Sequence, residues 1–140
     1  MAKDIREVMT PEPRTVKSSD SIVDAARAMR EQGFGVAIVA EDGKIRGLVT
    51  DRDIVVRAVA EARDPSRTTV ADVASKEEIS TVTPDQELGE AVQLMGERHV
   101  RRLPVVEDGK PVGVVSMGDL TIERDLSWAL ADISAAPPND

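Results

Sequence analysis

The chain has no cysteine and no tyrosine, one histidine, one phenylalanine and one tryptophan in 140 residues. Without cysteine, disulfides, zinc-thiolate sites and thiol catalysis are excluded. A single histidine, His99, rules out a histidine-based metal cluster and leaves little room for a catalytic triad. Two aromatic side chains, Phe34 and Trp128, cannot build a stacking platform for single-stranded nucleic acid. Basic charge is also scarce: 18 Lys and Arg face 26 Asp and Glu, for a net charge of −8. Non-specific nucleic-acid binding relies on a net basic face, so no nucleic-acid partner is expected. No apolar run is long enough to cross a bilayer, and the N-terminus lacks the basic-then-apolar layout of a signal peptide. The expectation is a cytoplasmic protein with no membrane partner. A G-x-x-x-x-G-K phosphate loop is missing too. No catalytic residue, catalytic cofactor or metal site is expected, and the chain does not read as an enzyme.

What is present suits a globular protein: 41% hydrophobic and 31% charged residues. The length allows one medium domain or two small units sharing a core. That core must come from Val, Ile, Leu, Ala and Met.

An internal repeat organises the chain. At a shift of 66 positions Thr15-Val16 falls on Thr81-Val82, Ala25 on Ala91 and Met29 on Met95. Glu41-Asp42-Gly43-Lys44 falls on Glu107-Asp108-Gly109-Lys110, and Gly47, Val49 and Asp53 meet Gly113, Val115 and Asp119. One inserted residue brings Glu7-Val8-Met9-Thr10 onto Asp72-Val73-Ala74-Ser75. Two copies of mixed structure argue for a pseudo-symmetric pair rather than a solenoid.

Each copy reads β-α-β-β-α. Thr15-Val16-Lys17 is a short strand. A helix follows, with Ser18, Ser19 or Asp20 as its cap in copy one and Thr83-Pro84 opening it in copy two. Ile22, Ala25, Ala26 and Met29, then Leu88, Ala91, Val92 and Met95, give the helical spacing. The first of these helices stops near Gly33; His99 aligns there, where the helix dipole favours a histidine. Val36 to Ala40 and Leu103 to Val106 are apolar strands, each followed by an Asp-Gly turn signal. Ile45 to Val49 and Val112 to Val115 are their partners. The second helix runs to about Ala62 in copy one and into the 120s or 130s in copy two. Residues 5–62 form repeat one, 63–69 a connector, 70–134 repeat two and 135–140 a flexible tail. Leu126, Leu130 and Ile133 share a face of the last helix, where Trp128 is a subunit core residue or a dimer contact.

The layout resembles a tandem pair of CBS domains, the Bateman module named after cystathionine β-synthase. The residues that carry the likeness are Val8-Met9-Thr10, the run from Gly43 to Ile54, the run from His99 to Val106, and Gly113 to Leu120. Both copies recur in order with matched spacing, from about Ile5 to about Leu126. The resemblance implies an α/β (α+β) fold: two β-α-β-β-α repeats with pseudo-twofold symmetry and clefts between their packed sheets. It implies a regulatory module that binds an adenosine-containing ligand there, such as AMP, ADP, ATP, S-adenosylmethionine or an NAD-type dinucleotide. It also implies a homodimer acting on an unknown target protein. The alternative is a ligand-independent interaction scaffold.

Two readings of the hydroxyl-carboxylate motif stand side by side. Thr50 with Asp53, and Ser116 with Asp119, have capping-box spacing, in which the hydroxyl accepts a first-turn N–H and the acid accepts the cap's own N–H. The same helix end offers free N–H groups to a phosphate. The resemblance directs Thr50 and Ser116 to phosphate or ribose, and Asp53 and Asp119 to ribose. It places Arg101 and Arg102 beside a phosphate, a task that suits the guanidinium's forked donors; a solvated strand entrance is the plainer alternative. Copy one has Gly35-Val36 at those positions, so one phosphate subsite should be better furnished than the other, unless Arg52 compensates. Thr15-Val16 and Thr81-Val82 would run along the adenine, and Ile38, Leu103 and Pro104 would line the base pocket or belong to the core.

Overall fold

The two Asp-Gly pairs turn the chain where the repeat places them. In the computed structural model, which describes residues 4–75 and 79–123, Asp42 and Gly43 take φ of 52° and 77°, and Asp108 and Gly109 take 53° and 79°. Positive φ at both central positions is the type I′ hairpin turn, whose twist matches that of its strands. The first turn joins β3 (Val36–Glu41) to β4 (Lys44–Thr50), and the second joins β5 (Arg102–Glu107) to β6 (Lys110–Ser116). Each hairpin slips register at the same repeat position, Val39/Ala40 and Val105/Val106.

The chain is a mixed α+β fold of two repeat units, each with a three-stranded sheet and helices. One unit comprises residues 14–75 and 79; the other joins residues 4–13 to 80–123. In the first, β2 (Thr15–Val16) runs parallel to β3, giving the order β2-β3-β4. In the second, the matching residue Val82 makes only a single parallel bridge to Val105. The sheet there has the order β1-β6-β5, because β1 (Thr10–Pro11) pairs antiparallel with Val114 and Gly113.

The long helices are α2 (Ile22–Gln32) and α5 (Leu88–Arg98). Both end in a left-handed residue, Gly33 at φ 84° and His99 at 56°, as expected for a C-terminal cap. Ile22, Ala25, Ala28 and Met29 are buried on α2, while Ala26 is exposed. The helix starts differ from the expected ones. Ser21 caps α2 by accepting the Asp24 amide at 3.3 Å, not Ser18, Ser19 or Asp20. Thr83-Pro84 does not open α5 but lies in a turn, with Thr83 N donating to Gln86 Oε1 at 2.7 Å.

A physical reason lies in the short helices that lead each repeat. These are α1 (Ile5–Val8) and α4 (Val70–Val73). The first amides of α1 donate to Gln86 O at 3.0 Å and Pro84 O at 2.9 Å. Those of α4 donate to Asp20 O at 2.8 Å and Ser18 O at 2.9 Å. These bonds hold residues 18–20 and 84–86 in the turns that precede the helices, which start at Ile22 and Leu88. The leaders are therefore crossed. Ile5 leads copy one in sequence but is fully buried with Val82, Leu88, Met95, Leu103 and Leu120 of copy two. Val70 and Val73 lead copy two but are buried with Val16, Ile22, Ala25, Met29 and Val49.

After β4 the chain enters α3 (Asp51–Ile54), which widens into a π turn over Val55–Val59. Its i→i+5 bonds are Ala60 N to Val55 O at 2.9 Å and Arg63 N to Ala58 O at 3.0 Å. The segment closes at Ala62, left-handed at φ 57°. In copy two α6 spans Met117–Glu123. Leu126, Trp128, Leu130, Ile133 and the 135–140 tail lie outside the described residues.

Candidate functional site

Both hydroxyl-carboxylate pairs form complete capping boxes. Thr50 N donates to Asp53 Oδ2 at 2.9 Å, and Asp53 N donates to Thr50 Oγ1 at 3.0 Å. Ser116 N donates to Asp119 Oδ2 at 2.8 Å, and Asp119 N donates to Ser116 Oγ at 3.1 Å. Each strand thereby passes into its helix through a fixed turn. One carboxylate oxygen of each aspartate is occupied by the backbone. The capping role is real, and it leaves Oδ1 as the atom with capacity for a further partner. On Asp53 that oxygen lies 3.8 Å from Arg57 Nη1.

The strand beside each helix start completes a corner. In copy two, Arg102 is in register with Ser116, and Met117 N donates to the Arg101 carbonyl at 2.9 Å. Arg101, Arg102, Ser116 and Asp119 are thus brought to one end of the β5-β6 hairpin. Both arginines are exposed, while Ser116 and Asp119 are half-buried. In copy one, Val36 is in register with Thr50, and Asp51 N donates to the Gly35 carbonyl at 3.0 Å. The main-chain hydrogen bond is the same; the guanidinium groups are missing.

The remaining expected residues sit deeper. Val16, Val82, Ile38 and Leu103 are almost wholly buried, and Pro104 is buried too. Val16, Val82 and Leu103 belong to the apolar cores. The Val82 main chain is already committed: its N–H donates to Pro104 O at 3.1 Å and its carbonyl accepts Val106 N at 2.8 Å. Thr15 and Thr81 are exposed at the strand starts. Thr15 is in register with Ile38, so Thr15, Val16, Ile38, Thr50 and Asp53 share one sheet and its helix.

Sequence reasoning missed one close approach. A Cβ added at Gly35 would overlap the Asp51 carboxylate. The available signal was the repeat itself: Gly35 and Asp51 align with Arg101 and Met117. Among the described residues two carboxyl groups are held below their ordinary range, both away from the corners. Glu41 is lowered by hydrogen bonds from the Ser18 hydroxyl and amide, and Asp85 mainly by the Thr83 hydroxyl. Among the described residues no group of three or more His, Cys, Asp or Glu is placed to hold a metal ion. No described helix is long and apolar enough to cross a membrane.

Known proteins share this architecture. A CBS domain family model matches residues 5–59 and 70–124. The CBS domain-containing protein YhcV of Bacillus subtilis is 38% identical over 120 residues, covering 86% of this chain and 84% of its own. The crystal structure of Hypoxic Response Protein I, described with two coordinated zinc ions, has a TM-score of 0.78 and 29% identity, covering 87% of this chain and 99% of that one. A hexameric CBS-CP12 protein from bloom-forming cyanobacteria has a TM-score of 0.74 and 27% identity, over 91% of this chain and 75% of that one. The chain belongs to the CBS domain family and carries a tandem pair of these domains.

Proposed function

We propose that this CBS pair is a regulatory module that binds an adenosine-containing nucleotide and passes the event to a partner protein. The observation that carries the reading is the convergence of Arg101, Arg102, Ser116 and Asp119 at one hairpin end. Guanidinium groups suit phosphate, and a carboxylate oxygen left over from capping suits a ribose hydroxyl. Binding changes the conformation or the homodimer arrangement through different affinity for two states. No catalytic step is assigned. A thermal-shift panel of AMP, ADP, ATP, S-adenosylmethionine and NADH tests this. A ligand at a hundredfold excess over its Kd adds about 2.7 kcal/mol of stability. At least one of the panel should raise the melting temperature, and Asp119→Ala should remove most of the rise.

A second reading is an interaction scaffold. Val55, Val56 and Val59 on the helix after β4 are 55%, 46% and 62% exposed. Apolar side chains grouped in this way suit a protein contact. A panel that leaves the transition unmoved at millimolar ligand would favour the scaffold.

A further inference from the structure

The two corners are built on one backbone plan and differ in charge at four aligned positions: Gly35, Val36, Asp51 and Arg52 stand against Arg101, Arg102, Met117 and Gly118. Asp51 N donates to Gly35 O at 3.0 Å, and Met117 N donates to Arg101 O at 2.9 Å. Where copy two has the exposed Arg101 side chain, copy one has a glycine. The Asp51 carboxylate lies over that glycine so closely that a Cβ there would overlap it. Asp51 Oδ1 also accepts the Arg52 amide at 2.8 Å, one of the first-turn N–H groups open to an outside anion. The Asp51 carboxylate of copy one therefore lies where the Arg101 side chain of copy two leaves its backbone. The neighbouring charges do not reverse this. Arg57 donates to Val73 O at 3.0 Å and Ala74 O at 3.2 Å and faces Asp53; Arg52 is an exposed cation in the same turn.

Building on the nucleotide-binding reading above, we propose that Asp51 is a specificity-determining residue that bars phosphate from the copy-one corner. Phosphorylated adenosine ligands then bind at one corner per chain, that of Arg101. Like charges at close approach repel.

Calorimetric titration with ADP tests this on the whole chain. The wild type should bind one ADP per chain, and Arg101→Ala should weaken that site at least tenfold. Asp51→Asn keeps the side chain's size and an acceptor for the Arg52 amide; it should reveal a second ADP site. The double variant Gly35→Arg, Asp51→Met copies the second corner into the first and should also bind two. Two equal ADP sites in the wild type, or a single site in both variants, would overturn the proposal while leaving nucleotide binding intact. If ADP, AMP and ATP bind neither the wild type nor the variants, the nucleotide-binding reading itself fails and the role of Asp51 goes with it.

Discussion

Asp119 and Ser116 exchange hydrogen bonds in both directions, at 2.8 Å and 3.1 Å, across the junction of β6 and α6. The exchange satisfies two amides that the helix start would otherwise leave open. Asp119→Ala removes one bond and unpins the hydroxyl of the other. It should cost about 1 kcal/mol of stability, the usual size of a cap contribution. Ser116→Ala should cost a similar amount. Urea denaturation without ligand measures this part alone. If Asp119→Ala also abolishes the nucleotide-induced shift while Ser116→Ala, equally destabilised, retains a larger part of it, the carboxylate has a role beyond the cap. A nucleotide-induced shift that survives in Asp119→Ala would reduce Asp119 to a structural residue.

Ala62 sits at φ 57°, where an alanine side chain crowds its own backbone. It is exposed, so no packing depends on its methyl group. Ala62→Gly should therefore raise stability by up to about 1 kcal/mol, despite the added freedom of the unfolded chain. A urea midpoint lower than wild type would show that the methyl group matters in a way its exposure does not suggest.

Much of this fold is legible in the sequence because its signals are local. Asp42-Gly43 and Asp108-Gly109 dictate their turns through backbone chirality alone, and Gly33 stops its helix for the same reason. The capping boxes follow from three-residue spacing. The helix starts depart from the local caps Thr83-Pro84 and Ser18 because the carbonyls of Pro84, Gln86, Ser18 and Asp20 receive the amides of α1 and α4. That demand comes from residues some 50 to 80 positions away, and no window of sequence contains it. The candidate site divides in the same way. Thr50, Asp53, Ser116 and Asp119 are visible as a motif, and the repeat shows Gly35 against Arg101. The Asp51 carboxylate over Gly35 needs coordinates, since it depends on how a strand end meets a helix start.

Glu41 accepts from Ser18 N at 2.9 Å and from Ser18 Oγ at 2.5 Å, and these bonds hold its carboxyl below the ordinary range. A carboxyl lowered on folding stabilises the native state above its unfolded pKa, about 4.3 for glutamate. That stability is lost as pH falls through the lower folded value. Ser18→Ala removes the hydroxyl's share. Its melting temperature should lie below wild type at pH 7, and the gap should narrow towards pH 3. Asp85 carries a lowered carboxyl in both proteins and cancels in the difference. A gap independent of pH would mean that Ser18 acts through packing rather than through the Glu41 charge.

The crossed leaders make a prediction that a simple two-repeat picture does not. Ile5 precedes copy one, yet its fully buried side chain fills the core of α5, β5 and β6. Val70 precedes copy two, yet it fills the core of α2, β3 and β4. The two cores are near-equivalent apolar environments, so the short Ile-x-x-Val and Val-x-x-Val patterns suit either one. Chain connection and the carbonyls of residues 18, 20, 84 and 86 decide between them. Ile5→Ala leaves a cavity worth about 2–5 kcal/mol, and Val70→Ala does the same on a smaller scale. A two-unit chain need not unfold in one step, so the readout must be local. Native-state hydrogen exchange gives it. Ile5→Ala should speed exchange in 88–98 and 102–116 more than in 22–32 and 36–50, and Val70→Ala should do the reverse. The opposite pattern would place each leader with its own sequence repeat and undo the crossing.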